Sequence, residues 1–172
     1  MGAHTIRDAR MEDLPEIVGI YNSTIPSRMV TADTSPVTLE TRVPWFDRHS
    51  PGRYPLTILE LDGSVVAWLS FQPFRDRPAF EHTAEISLYV HKDFRSKGYG
   101  HILLSDSLRR APRVGLHNLI ACIFSHNTPS CKIFTKFGFK VWGELPQVAA
   151  IGKSEFGLTI LGRRIAPYTV SS

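Results

Sequence analysis

Residues 81–100 read Glu81-His82-Thr83-Ala84-Glu85-Ile86-Ser87-Leu88-Tyr89-Val90-His91-Lys92-Asp93-Phe94-Arg95-Ser96-Lys97-Gly98-Tyr99-Gly100. The first half alternates. Ala84, Ile86, Leu88 and Val90 fall on one side, and Glu85, Ser87 and Tyr89 on the other. That period predicts a strand over 83–91 with two unlike faces. The second half is Arg-x-x-Gly-x-Gly. Gly98 and Gly100 carry no side chain, so their backbone N–H groups can approach a ligand closely. A helix is predicted over 99–110, with Leu104, Leu108 and Ala111, helped by Leu103, as its buried stripe. A glycine loop that opens a helix suits phosphate, because the helix N-terminus carries partial positive charge. Arg95 and Lys97 add formal charge, Ser96 and Tyr99 complete the loop, and His101 adds a donor. Leu103 stands where a Rossmann fingerprint needs its third glycine, and no Gly-Lys-Ser/Thr follows for a P-loop.

Downstream, 119–124 is a continuous apolar run, as expected of a strand buried on both faces. A helix follows over 128–137, with Asn127 or Thr128 as its cap, Pro129 in the first turn and Gly138 as its stop. Asn127 and Ser130 have two readings here: helix caps, or side chains that fix the arm of a ligand. A ligand bearing amides that lies along 83–91 gains main-chain hydrogen bonds, for which Leu88, Tyr89 and Val90 are placed. Closing strands are expected at 139–142 and 156–161.

Upstream, 4–9 reads as a strand. Leu14, Ile17, Val18 and Tyr21 show helical spacing. The punctuated stretch 26–36 reads as a loop. A second helix is expected over 38–49, with Thr38 as N-cap and Leu39, Val43 and Phe46 on one face. Asp62-Gly63 between two apolar runs is a hairpin signal. The resulting order, β-α-α-β-β-β-α-β-α-β-β, predicts a single α/β (α+β) domain over 1–166. Its core is a mixed, mostly antiparallel sheet flanked by helices, and a frayed tail is expected over 167–172.

The composition narrows the function. The 172 residues are 42% hydrophobic and 21% charged, ordinary for one globular domain. No apolar run approaches the roughly 20 residues that span a bilayer. The first residues lack the apolar core of a signal peptide. A cytoplasmic protein with no membrane partner is therefore expected. Two cysteines, Cys122 and Cys131, are too few for a disulfide framework. A net charge of +4 suits an anionic ligand as well as nucleic acid. Its basic residues are dispersed, so no nucleic-acid partner is expected. No histidine spacing suggests a metal site, and His82, three residues from Glu85, falls on the opposite strand face.

The strand, the Arg-x-x-Gly-x-Gly loop and the later Asn127-x-x-Ser130…Lys136-x-Gly138-Phe139 segment together resemble the acyl-CoA site of the GNAT N-acetyltransferase superfamily. Further segments resemble its phosphinothricin-acetyltransferase branch. They are Ile20-Tyr21-Asn22, Asp33-Thr34 with Pro36-Val37, Arg42 before Trp45-Phe46, Phe74-Arg75-x-Arg77-Pro78, and His82-Thr83-Ala84-Glu85 running into Ser87-x-Tyr89-Val90. The resemblance implies the GNAT fold, acetyl-CoA as co-substrate, a homodimer, and a small amino-acid-like amine as acceptor, of phosphinothricin or methionine sulfoximine type. Other amines remain open: a polyamine, an aminoglycoside or a protein N-terminus. So does non-catalytic acyl-CoA binding.

The implied reaction needs a proton acceptor, an oxyanion donor and alignment. Glu85 is the implied general base, and a backbone N–H near Leu88 the oxyanion donor. Arg75 and Arg77 are candidates to clamp an acceptor carboxylate. Phe74 is a candidate pocket wall, with Thr31 and Ala32 in the loop above. Two departures stand out. Phe134 occupies the place of a Tyr or His that can donate a proton. Ile151, Glu155 and Gly157 replace the Lys, Trp and Asp of the branch's Gly-x-Lys-x-Gly-x-Trp-x-Asp pattern.

Overall fold

A computed structural model describes residues 4–167. Seven strands form one sheet: β1 (His4–Asp8), β2 (Leu56–Leu61), β3 (Ser64–Pro73), β4 (Thr83–Val90), β5 (Asn118–Phe124), β6 (Lys140–Ile151) and β7 (Ser154–Arg164). Their spatial order is β1-β2-β3-β4-β5-β7-β6. Every neighbouring pair is antiparallel except β4 and β5, which run parallel. The helices are α1 (Leu14–Asn22), α2 (Leu39–Phe46), α3 (Tyr99–Arg110) and α4 (Thr128–Lys136). The expected residues 167–172 of the tail lie, from 168 on, outside the described residues.

The sheet has an apolar surface on both sides. Leu59, Leu69, Phe71, Ala84, Ile86, Leu119, Ala121 and Ile123 pack with Leu103 and Leu104 of α3 and Phe134 of α4. On the other side Ile58, Val65 and Trp68 meet Ile17 and Ile20 of α1. Burying one such Leu or Ile contributes about 1.5–3 kcal/mol, so each helix is held by several such side chains. The β2–β3 hairpin turns at Asp62 (φ 50°) and Gly63 (φ 83°), the paired left-handed conformations that Asp-Gly favours.

Two expectations are corrected. Helix α2 is capped by Thr38, whose hydroxyl accepts from the Thr41 N–H, but Leu39 and Val43 are exposed. Its packing face is instead Trp45, set edge-on to Trp68 at 5.7 Å, with Phe46 half-buried. The last two strands are also far longer than 139–142 and 156–161. β6 runs through Gly143 and Pro146 by means of register shifts at Val141/Gly143 and Leu145/Ala149. It is the outer strand of the sheet, where proline's missing donor breaks no ladder bond.

Candidate active site

The parallel pair β4/β5 is joined at only three positions: Thr83 with Asn118, Ala84 with Leu119 and Glu85 with Ile120. Beyond Glu85 the two strands diverge, while β4 stays paired to β3 as far as Val90. The direction of each backbone group follows from the ladder. Phe74 N–H donates to Thr83 C=O, and His91 N–H donates to Val66 C=O, both towards β3. Odd-numbered residues of β4 therefore bond to β3; the parallel pair Glu85–Ile120 takes up the Ile86 N–H, so the Ile86 C=O and the main-chain groups of Leu88 and Val90 face the gap. This sharpens the sequence reading. Leu88 and Val90 offer main-chain groups to a ligand, whereas those of Tyr89 are used by β3.

A cavity of about 540 Å³ continues from the gap. Leu88, Tyr89 and Val90 form one wall, Phe94 to Ser96 and Gly98 to His101 another, and Pro129, Ser130 and Ile133 of α4 a third. Gly98 has φ +88°, a left-handed conformation that lets the chain turn into α3. No side chain caps α3, so the N–H groups of its first turn stay open to an anion. Gly100 has a packing reason as well: a Cβ there would lie 3.2 Å from Ile133 Cδ1 and 3.4 Å from Val90 Cγ2. Arg95 Nε donates to the Val90 carbonyl at 3.3 Å, and Lys97 Nζ lies 5.0 Å from the Phe94 ring centre. Tyr99 is buried against Phe94.

Glu85, Ser87 and Tyr89 project to the opposite face of the sheet from Ala84 and Ile86. Glu85 is half-buried, and burial pushes its carboxyl above the usual range. Cys122 shares this face. Burial first, then the Glu85 charge, pushes its thiol up to about 11, and the Arg75 charge acts in the opposite sense. Arg75 and Arg77 are exposed; the Arg75 guanidinium lies 5.3 Å from the Phe74 ring centre, and Phe74 meets Phe80 edge-on at 5.9 Å. Thr31 is buried. Its hydroxyl is 2.5 Å from the Tyr21 hydroxyl, which donates to Asp33 Oδ2 at 2.5 Å. Arg42 pairs with Asp33 at 3.3 Å and lies over the Tyr21 ring at 4.4 Å. This network fixes the loop of residues 23–37 over the aromatic cluster Tyr21, Trp68 and Tyr89.

The structure also separates some candidates. Asn127 caps α4: its Oδ1 accepts from the Ser130 N–H at 3.2 Å, and it does not border the cavity, whereas Ser130 does. Phe134 is buried in the core against Phe139. Ala32 is exposed. His82 precedes β4, donates through Nδ1 to the Gly115 carbonyl at 2.8 Å and stacks on His117. Ile151 and Gly152 form the tip of the β6–β7 hairpin, and Gly157 lies against Ser125 and the Leu145 carbonyl. Sequence reading missed Thr24, Val30, Phe94 and Ile133 in the cavity wall. Ile133 was accessible by spacing, since it lies one turn beyond Ser130 on the same helical face. Thr24 and Val30 carry no local signal.

The profile of the Acetyltransferase (GNAT) family matches residues 16–139. YwnH of Bacillus subtilis, provisionally named a phosphinothricin acetyltransferase, is 49% identical over 94% of this chain and 99% of its own. The L-methionine sulfoximine/L-methionine sulfone acetyltransferase of Pseudomonas paraeruginosa is 37% identical over 84% of each chain. The phosphinothricin acetyltransferase of Sinorhizobium meliloti, solved in complex with AcCoA, superposes with a TM-score of 0.88 at 25% identity, covering 94% of this chain and 88% of that one. A diverging parallel pair, an uncapped glycine turn beside it and these likenesses agree: the chain belongs to the GNAT acetyltransferase family.

Proposed function

We propose that this protein transfers acetyl from acetyl-CoA to the primary amine of a small amino-acid-like acceptor, of the phosphinothricin or methionine sulfoximine type. The observation that carries it is the gap between β4 and β5. A cavity for the cofactor opens on one side of it, and the half-buried Glu85 stands on the other face of the same strand.

In this reading the first turn of α3, with Arg95, Ser96, Lys97, Gly98, Tyr99 and Gly100, holds the diphosphate. Leu88 and Val90 pair with the pantetheine amides, and Ser130 lines the arm. The amine reaches the site protonated. Glu85, directly or through one water, takes a proton from the ammonium nitrogen, and the freed lone pair attacks the thioester carbonyl carbon. The Leu88 N–H stabilises the resulting oxyanion. The C–S bond then breaks and the thiolate leaves. As the amide forms, the attacking nitrogen releases its excess proton to water; a thiol near pKa 8.5 is a good leaving group, so the departing thiolate takes a proton from water, which Phe134 cannot supply. Arg75 and Arg77 bind the acceptor carboxylate, with Phe74 and Thr31 as pocket walls.

A thiol-release assay against an amine panel tests the reading. Acetyl-CoA turnover is expected with methionine sulfoximine or phosphinothricin, and no turnover on any amine would reject it. Arg75→Ala is expected to raise KM roughly tenfold for carboxylate-bearing acceptors, and not for uncharged amines. An equal effect on both would remove the clamp.

We further propose a cytoplasmic homodimer. Val141, Trp142, Leu145 and Val148 are exposed along the outer strand β6, an apolar edge that a second copy would cover. Val148→Asp is expected to shift the sedimentation coefficient from dimer to monomer; an unchanged dimer would place the interface elsewhere.

A further inference from the structure

We infer that the Ser87 hydroxyl is the link through which Glu85 takes the proton from the acceptor ammonium, and that Ser70, its neighbour across the sheet, orients that hydroxyl. Ser87 is then a catalytic residue and Ser70 a positioning residue. The step rests on the proposed acetyl transfer with Glu85 as its base.

On the Glu85 face, β3 and β4 meet as three rungs: Gln72 with Glu85, Ser70 with Ser87, and Trp68 with Tyr89. The rungs on either side are large. Trp68 and Tyr89 stack at 4.3 Å, and Glu85 and Gln72 are both half-buried. The middle rung is two serines, so it forms a notch with a hydroxyl-lined floor. Ser70 is fully buried, and its Oγ has no hydrogen-bond partner among the described residues. A buried hydroxyl is costly when it stays unsatisfied. Its rung partner is the half-buried Ser87, and Cβ atoms directly opposite each other in such a pair are about 5 Å apart. A change of rotamer at either serine brings the two hydroxyls within hydrogen-bond reach.

Distance along the strand gives Ser87 its role. The Leu88 N–H is the proposed oxyanion donor, so the attacking nitrogen works beside Leu88. Glu85 lies three residues earlier, about 10 Å at a strand's rise of ~3.3 Å per residue. A glutamate side chain reaches over four bonds of about 1.5 Å or less, and so covers about half of that distance. Ser87 is next to Leu88 and shares the face of Glu85. The Glu85 charge also acts on Tyr89, on the far side of Ser87, as a carboxylate leaning along the strand over Ser87 would.

The ammonium N–H donates to Ser87 Oγ while the Ser87 O–H donates to the Glu85 carboxylate. The proton of the nitrogen passes to Oγ as the serine's own proton passes to Glu85, in one concerted movement. Serine ends as a hydroxyl, Glu85 as a carboxylic acid, and the amine with a free lone pair. Ser70 donates to the other lone pair of Ser87 Oγ, which leaves one for the ammonium and turns the O–H towards Glu85.

The test uses Ser87→Ala, Ser87→Cys and Ser70→Ala in the full chain, with Glu85→Gln as reference. Turnover is read with acetyl-CoA and methionine sulfoximine, and acetyl-CoA affinity by calorimetry. Ser87→Ala is expected to lower kcat about tenfold or more, with acetyl-CoA affinity within about twofold. Ser87→Cys has nearly the same size but a weak donor and acceptor, and should show the same loss; it decides alone if the alanine variant does not fold. Groups that act in series do not multiply, so Ser87→Ala combined with Glu85→Gln should stay within about twofold of Glu85→Gln. Ser70→Ala should lower kcat about threefold in the wild type and have no effect in the Ser87→Ala background, whereas a merely structural serine would act equally in both. Wild-type kcat in Ser87→Ala and Ser87→Cys would overturn the relay alone. A combined loss equal to the product of the single losses would also overturn it. No turnover of any amine by the wild type would overturn the proposed function and this step with it.

Discussion

Gly98→Glu is expected to weaken acetyl-CoA binding by roughly a hundredfold or more, on the order of 3 kcal/mol. Gly98 is the N-cap of α3 at φ +88°, beside the uncapped N–H groups of the helix's first turn. A glutamate brings a carboxylate to the place proposed for the diphosphate. It can also turn onto those N–H groups and occupy them itself. Gly98→Ala separates charge from strain. Its penalty, about 1 kcal/mol for a left-handed non-glycine residue, falls on the stability of the loop, and binding should survive. Calorimetric titration with acetyl-CoA reads both variants. Equal affinity in Gly98→Glu and wild type would remove this loop from the cofactor site.

The second large effect is expected at Glu85. Glu85→Gln removes the proposed proton acceptor while preserving shape, so kcat should fall about a hundredfold or more with acetyl-CoA affinity unchanged. The deficit should narrow as pH rises and free amine becomes abundant. Stability should move the other way. Burial raises the Glu85 carboxyl above its unfolded value, so its favourable contribution is present below the ordinary carboxylate range and is lost as pH rises through the raised value. At neutral pH the wild type carries a partly desolvated carboxylate. Glu85→Gln should therefore melt at the same temperature or higher, an advantage that disappears in acid. Wild-type turnover in the variant would exclude Glu85 from the chemistry. A variant that melts lower at neutral pH would contradict the burial argument.

The parts legible in the sequence were those encoded over a few residues. Alternation in 83–91 gave the two faces of β4, and Gly98 marked the left-handed turn into α3. The apolar spacing of α1 and the Asp62-Gly63 turn worked in the same way. What stayed hidden depends on partners distant in sequence. The buried side of α2 rests on one contact, Trp45 on Trp68, and an eight-residue helix interrupted by Pro44 shows no continuous stripe to reveal it. β6 is exposed on nearly every residue, so it carries no alternation, and Gly143 and Pro146 read as breaks. Which main-chain groups of β4 face the gap is set by its register with β3. The bond from Asn127 to Met29 joins segments that no local pattern connects.

The divergence of β4 from β5 has a consequence for the lifetime of the protein as well as its chemistry. Beyond the Glu85–Ile120 pair, Leu88 and the Val90 N–H present an open sheet edge in the middle of the molecule, a place where folded proteins ordinarily complete their ladders. Acetyl-CoA, lying there, would act as a missing strand. The metabolite would then be part of the fold's own hydrogen bonding, and the melting temperature should climb with its concentration by mass action, by about 2.7 kcal/mol of added stability at a hundredfold excess over Kd. A cell short of acetyl-CoA would hold this enzyme in its more fragile form, so that its abundance, and not only its rate, would follow the supply of acetyl groups.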